Sequence, residues 1–311
     1  MTNRTIYEEC PIYETNSFIL RLVSIEDAQG LMACYSDKRA VAKMNVDYCT
    51  SDFYCTTLEQ MEDCIAFWLK EYKEQRYVRF AVIPKISNRA VGTVEVFGGE
   101  FGILRIDIST AYDKEDSIEE LLRLAVLRLI RDFQIKSLKI KAANTPERIP
   151  LLKKYGFVLS KTFRPGLGYY ERSTTRNFDK NKGIAFCGLA CCVCSENKEC
   201  AGCRNDDCRG LSQCKSYNCC KENGLEGCWK CNGFPCDYDM FNKPRVKAFI
   251  EYIAQYGVEK LICALKNNEE HGVIYHYDGQ LIGDYDVFQR EEEIIQFLNQ
   301  DIEHSPHIKV V

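Results

Sequence analysis

Thirteen of the 19 cysteines in this 311-residue chain fall within one 50-residue window, Cys187 to Cys236. No other feature narrows the possible folds as far. A stretch so rich in thiols and so poor in large apolar side chains buries too little carbon to hold itself together, so disulfides or metal ions must help. The N-terminus, MTNRTIYEEC, lacks an apolar run of the secretory kind. The expected setting is therefore the reducing cytoplasm, where dense Cys-x-x-Cys spacing signals metal. No apolar run reaches the ~18 residues of a membrane span, and no membrane partner is expected.

The window reads Cys187-Gly-Leu-Ala-Cys191-Cys192-Val-Cys194, Cys200-Ala-Gly-Cys203, Cys208, Cys214, Cys219-Cys220 and Cys228-Trp-Lys-Cys231-Asn-Gly-Phe-Pro-Cys236. The pairs Cys191/Cys194, Cys200/Cys203 and Cys228/Cys231 each set two thiols on one side of a tight turn, which suits tetrahedral zinc. No histidine lies in the window, so such a site is all-thiolate. Thirteen thiols fill three four-Cys sites with one to spare, or two with five; the spacing does not choose. Metal is expected to supply much of the folding free energy here. A four-Cys iron–sulfur cluster is the redox alternative. Cys187-x3-Cys191-x2-Cys194 also has radical SAM spacing, but too little chain follows for the barrel that chemistry needs. Six Lys/Arg offset six Asp/Glu in the window, and the whole chain carries a net charge of −4, so no nucleic-acid partner is expected.

The rest of the chain is ordinary by comparison. Hydrophobic residues make up 46% of it, which excludes wholesale disorder. A polar segment, Glu171 to Gly183, separates two domains, 1–176 and 184–311. In the first, Phe18–Ser24 reads as a strand, and Glu26–Tyr35 and Leu58–Tyr72 as amphipathic helices, the second with Met61, Ile65, Trp68 and Leu69 on one face. Tyr77–Ile83, Ala90–Phe97 and Gly102–Ser109 form an antiparallel meander turned at Ser87–Arg89 and Gly98–Glu100. A helix over Ile118–Asp132 follows a capping box at Asp116–Glu119. A strand at Ser137–Lys141 precedes a proline-opened helix at Pro146–Lys154 closed by Gly156. A last strand pair spans Gly156–Lys161 and Gly168–Arg172. After the window come helices at Pro244–Ala254, Val258–Leu265 and Glu291–Asn299 and a strand at Gly272–Tyr277, packed as a cap. His271 and His276 take surface or packing roles, and Gly283–Asp286 is a turn rather than a calcium loop.

The element order β-α-α-β-β-β-α-β-α-β-β over residues 15–172 resembles the GNAT acetyltransferase superfamily. The strongest local match is Asn144-Thr-Pro-Glu-Arg-Ile-Pro-Leu-Leu-Lys-Lys-Tyr-Gly-Phe157, similar to that family's N-x-x-S/A…L-x-K-x-G-F segment. The opening Phe18-Ile-Leu-Arg-Leu22 before a Glu-Asp-Ala helix looks like its ribosomal-protein-acetylating branch. The resemblance implies an α+β fold: a mixed sheet flanked by helices, splayed to admit the pantetheine arm of acetyl-CoA. It also implies a glycine-rich pyrophosphate loop at a helix N-terminus. Here that loop is Ala111-Tyr-Asp-Lys-Glu-Asp-Ser117, without glycine and with Asp113, Glu115 and Asp116 against Lys114. The implied cofactor contacts are Ile108, Ser109, Thr110, Ala111, Lys114, Ser117 and Asn144. Where many members carry an acidic tyrosine, four residues before Gly-Phe, this chain has Leu152, with Tyr155 nearby as a packing aromatic. Glu95 and Asp107 alternate with apolar neighbours on strands beside the splay. Each is a candidate general base, or else part of a solvated sheet face, with Asp107 paired to Arg105.

The tail, 184–302, resembles a small bacterial Cys-rich family of undetermined function. Cys187, Cys191, Cys194, Cys200, Cys203, Cys214, Cys219, Cys228, Cys231 and Cys236 fall on its pattern and are the expected zinc ligands; Cys192, Cys208 and Cys220 are extra. The function these readings imply is acetyl-CoA-dependent N-acetylation of a primary amine, on a small molecule or a protein, with the zinc module recruiting the acceptor. A non-catalytic zinc adaptor on a degenerate acetyltransferase fold, or an iron–sulfur protein, is the alternative.

Overall fold

Short runs of alternating apolar residues pair into two sheets. The computed structural model describes residues 6–49, 51–97, 101–174, 176–196, 199–208 and 210–299, and the backbone of 307–309. The expected turn at Gly98–Glu100 lies outside them. The chain divides into two units, Met1–Ser173 with His304–Val311, and Thr174–Glu303. The division falls just ahead of residue 176, and the last residues go with the first unit rather than with the Cys-rich one.

In the first unit β1 (Ile12–Glu14) and β2 (Phe18–Leu22) lead through a 3-10 turn into α1 (Ala28–Tyr35), α2 (Lys38–Val41) and α3 (Leu58–Lys73). Next come β3 (Val78–Pro84), β4 (Gly92–Val96), β5 (Gly102–Ile103) and β6 (Arg105–Ile108). Helix α4 (Glu115–Leu124) passes through a π-turn at Ala125–Leu129 into α5 (Ile130–Asp132). Then follow β7 (Ser137–Lys141), α6 (Ile149–Lys154), β8 (Val158–Leu159) and β9 (Tyr169–Ser173), while β10 (His307–Lys309) lies parallel to β1. The sheets run β10-β1-β2-β3-β4-β6 and β5-β7-β9-β8. This is a mixed α+β fold.

Period-two alternation sorts the side chains of the first sheet. Phe80, Val94 and Ile106 sit directly across from one another on β3, β4 and β6, and Phe80 meets Phe133 beyond α5 edge-on. Ala81 and Ile83 face the other way, into a core built from α1 and α3 through Leu31, Tyr35, Met61, Ile65 and Trp68. Each large side chain taken fully from water there stabilises by about 1.5–3 kcal/mol. Thr57 caps α3, accepting from the Gln60 N–H while Gln60 reaches back. The capping box expected at Asp116–Glu119 does not form. The helix starts earlier, at Glu115, with extended Lys114 as an N-cap that makes no side-chain bond. The acidic pair Glu115 and Asp116 therefore lies in the first turn, where the helix dipole favours negative charge.

The second unit is built differently. Its cysteines ride on 3-10 turns at Cys191–Val193, Cys203–Asn205 and Cys228–Lys230 and on α7 (Lys215–Glu222). Three longer helices follow, α8 (Pro244–Tyr256), α9 (Val258–Glu270) and α10 (Glu291–Asn299). They bury Val246, Phe249, Ile250, Ile253, Leu261, Leu265, Ile294 and Phe297. Gly257, at φ +88°, makes the break between α8 and α9 that a side chain would strain. The strand expected at Gly272–Tyr277 is absent. The fully buried Asp284 organises this stretch as a loop, accepting from the Ile274 N–H and the Tyr277 hydroxyl. With no neighbouring strand, a side-chain carboxylate satisfies the backbone instead. Asp286 accepts from the Gly283 N–H and from Arg245, so Gly283–Asp286 is a turn as expected.

Candidate functional site

Strand register brings the two candidate bases together. Arg79 lies across from Glu95, and Glu95 across from Arg105; one step along the same face, Ala81 lies across from Thr93, and Thr93 across from Asp107. The sequence thus lays a cation–anion–cation row beside a Thr–Asp pair. Glu95 accepts from both Arg79 and Arg105. Arg79 Nη1 also donates to Asp107 Oδ2, Tyr35 Oη and Thr93 Oγ1, each at 3.0 Å. The Tyr35 and Thr93 hydroxyls are 2.8 Å apart.

This face is not solvated. Glu95 is 1% exposed and Asp107 2%, because α1, α3 and the segment before α3 cover them. Trp68 and Phe53 lie against the Arg79 guanidinium at 4.3 and 5.2 Å. Nor does Asp107 pair with Arg105: it takes Arg79, and Arg105 takes Glu95 and the Asp47 carbonyl. Burial, aided by the charge of Glu95, raises the Asp107 carboxyl above its usual range despite Arg79. Two guanidiniums hold Glu95 and one holds Asp107.

The splay is present, and it opens at one residue. Gly102 and Ile103 pair with β7, and the Leu104 N–H still reaches the Lys139 carbonyl at 2.8 Å. From Arg105 onward the strand belongs to β4 instead. Among the described residues no strand pairs with the edge of β6 that faces away from β4. Arg148, just before α6, reaches this edge, donating to the Ile106 carbonyl at 3.1 Å and to Asp113 Oδ1 at 2.8 Å.

Around this edge the expected cofactor contacts are largely engaged by the protein itself. Ile108 pairs with Gly92. The Ser109 N–H donates to the Val91 carbonyl, and its own carbonyl accepts from Tyr112 and Asp113. Thr110 Oγ1 donates to Asp37 at 2.6 Å, and Asn144 to the Met44 carbonyl at 3.2 Å. Ala111 and Lys114 are exposed and Ser117 half-buried at the start of α4. The acidic loop is partly neutralised: Lys43 lies 2.5 Å from Asp113 and 2.6 Å from Glu147. Burial alone would raise the Asp113 pKa, but hydrogen bonds and charge from Lys43 and Arg148 leave it below the usual carboxylate range. Leu152 is buried, and the equally buried Tyr155 donates its hydroxyl to Glu119 at 3.0 Å.

The thiols of the second unit do not gather as the spacing predicts. Among the described residues, no three Cys, His, Asp or Glu side chains converge so as to hold a metal ion. The ten expected ligands are spread from buried (Cys187, Cys203, Cys228) through half-buried (Cys191, Cys194, Cys200, Cys214, Cys231) to exposed (Cys219, Cys236). The physical reason is that thiols also behave as small hydrophobes with local hydrogen bonds. Cys200 donates to the Asp207 carbonyl at 3.2 Å and accepts from the Gly202 N–H at 3.3 Å. Cys194 faces His276 Nδ1 at 3.5 Å, a neighbour its spacing did not announce. Burial lowers His276 to about 4. His271 bonds the Asn267 carbonyl. Cys219, Cys220, Cys228, Cys231 and Cys236 border a cavity of about 200 Å³ with Phe234 and Phe241. Cys220, an extra to the pattern, is among them.

No family model matches the chain, and no curated protein matches it. Several solved structures are similar to its first half. The ribosomal-protein-S5-alanine acetyltransferase of Vibrio fischeri is 13% identical over 52% of this chain and 96% of that one, with a TM-score of 0.42. A GCN5-related N-acetyltransferase of Brucella melitensis is 16% identical over 56% and 84%, at 0.44. A ribosomal L7/L12 α-N-protein acetyltransferase solved with coenzyme A is 11% identical over 51% and 94%, at 0.41. Likeness at this level assigns no residue a role. Among the described residues no helix is long and apolar enough to cross a membrane.

Proposed function

We propose that the first unit transfers an acetyl group from acetyl-CoA to a primary amine, on a small molecule or a protein, by direct attack. The observation that carries this reading is the unpartnered edge of β6, opened at Leu104 and lying before the start of α4. A pantetheine arm has amides that can pair with such an edge as a strand would. Arg148 must first release the Ile106 carbonyl. The loop 111–117 has no glycine, but Lys43, Lys114 and Arg148 bring positive charge to its side of the site. In this reading Asp107 takes the proton of the attacking amine, its raised pKa bringing it nearer to an amine's partner range. Glu95 holds Arg79 and Arg105 in place.

The Cys-rich unit is then a recruiting module for the acceptor. Its zinc rests on Cys-x-x-Cys spacing, not on an assembled ligand set. Metal analysis of the purified protein tests it, and a brown, visibly absorbing protein would favour iron–sulfur instead. A second reading has an observation of its own: the Lys43–Asp113–Arg148 cluster closes the loop, and both candidate bases are locked in ion pairs. That suits a binding scaffold without catalysis. Titration calorimetry with acetyl-CoA separates the two. Binding at micromolar ligand supports the enzyme; no heat at millimolar ligand ends that reading and leaves the adaptor.

A further inference from the structure

Five cysteines of the first unit, Cys10, Cys34, Cys49, Cys55 and Cys64, lie outside the thiol-rich window. Two of them meet. Cys55 Sγ and Cys64 Sγ are 3.8 Å apart, across the capped start of α3. Cys55 is buried, with its N–H bonded to the Tyr35 carbonyl, whereas Cys64 is half-buried on the helix. A disulfide needs an S–S distance of about 2 Å, so the two side chains must turn toward each other from this contact.

We propose that Cys55 and Cys64 are a peroxide-oxidised dithiol whose reversible disulfide ties the segment carrying Phe53 to α3. That segment matters because Phe53, two residues before Cys55, and Trp68, one helical turn after Cys64, both lie on the Arg79 guanidinium. The linkage therefore tightens the cover over the Glu95–Arg79–Asp107 cluster.

The chemistry is that of an accessible thiol beside a resolving one. The Cys64 thiolate attacks one oxygen of hydrogen peroxide; the O–O bond breaks, hydroxide leaves and is protonated to water, and Cys64 becomes a sulfenic acid. Cys55 sulfur then attacks Cys64 sulfur. The S–S bond forms, the S–O bond breaks, and a second water departs with the Cys55 proton. The two thiols lose two electrons and the peroxide gains two; an added dithiol reverses the step. The contact also divides the two thiols by role. With Cys55 as the donor, the shared hydrogen lowers the half-buried Cys64 and raises Cys55, while burial raises Cys34 and Cys49, and Cys10 to about 12. Thiolate fraction favours Cys64 as the attacking group.

The test is peptide mapping by mass spectrometry of the full chain after brief peroxide treatment at pH 7. The expected product is a Cys55–Cys64 linkage lighter by two hydrogens, restored by dithiothreitol. Cys64 should also be alkylated at least ~tenfold faster than Cys34 or Cys49. In Cys55→Ser, dimedone should trap a sulfenic acid at Cys64. The wild-type alkylation rates stand even if that variant folds poorly. Cys64 reacting no faster than Cys34 and Cys49, or oxidation that joins either sulfur to a different cysteine, would overturn the proposal. None of these readouts depends on acetyl-CoA binding.

Discussion

The two units bury polar groups by opposite means. In the first, register does it: three strands line up Arg79, Glu95 and Arg105, and each charge has a partner fixed by the backbone before any side chain rotates. In the second, short turns do it: Cys200 finds the Asp207 carbonyl and the Gly202 amide and Cys194 a ring nitrogen, and no three ligands converge among the described residues. The lesson is that a sheet makes a polar cluster from residues far apart in sequence. A chain of tight turns disperses even closely spaced ones unless something binds them. Helices α8–α10 give the second unit an apolar core apart from its cysteines.

The hardest blow to this contrast comes from the ladder. Glu95→Gln leaves Arg105 buried without its carboxylate and Arg79 with Asp107 alone, and removing one partner of a buried pair costs about 3–5 kcal/mol. Calorimetry should show the unfolding transition of the first unit falling while that of the second stays. A joint fall would mean that the units do not unfold separately. Next in size, Phe249→Ala removes a fully buried ring packed on Tyr275 and Tyr285 and should cost the second unit about 3 kcal/mol. Chelation with EDTA should leave the circular dichroism of α8–α10 largely intact; its collapse would return the stability of this unit to metal.

Smaller effects sharpen the comparison at the loop. Asp113→Asn removes a negative charge and releases Lys43 and Arg148 from this ion pair, so acetyl-CoA should bind about fivefold more tightly, equivalent to roughly 1 kcal/mol. Unchanged or weaker affinity by calorimetry would move the phosphates away from this loop. Smallest is the pH effect of the same residue. Its folded pKa is lowered, so its contribution is present above the ordinary aspartate value of about 3.9 and is lost as pH falls through the folded value. The melting temperature of wild type should drop faster below pH 4 than that of Asp113→Asn.

Much of the first unit was legible because its elements carry clean periods. Met61, Ile65 and Trp68 mark the buried face of α3, and Val78–Pro84, Gly92–Val96 and Arg105–Ile108 pair as alternation requires, whereas the expected single strand Gly102–Ser109 breaks at Leu104 because Gly102 and Ile103 pair with β7 instead. β1 was missed because three residues, Ile12 to Glu14, are too few to show a period. The burial of Glu95 and Asp107 was misread for a different reason: alternation says that they point away from Val94 and Ile106, not what lies beyond. Writing Arg79, Glu95 and Arg105 side by side in register, with Asp107 one step along the same face, would have disclosed two cations set against two anions, a cluster that can be buried as a unit. In the second unit Tyr275 and Tyr277 mimic a strand, and only the distant Asp284 decides otherwise. The pairing of Cys194 with His276 crosses a sequence distance that no spacing rule spans.

Leu104 divides a seven-residue ribbon into two loyalties. Residues before it inherit their phase from β7, and residues after it from β4. Deleting one residue at that point would force a choice: either Asp107 keeps its face across from Thr93 or Gly102 keeps its place against Leu138. Architecture and chemistry are thus written on the same strand but in separable clauses, and a single residue is the punctuation between them.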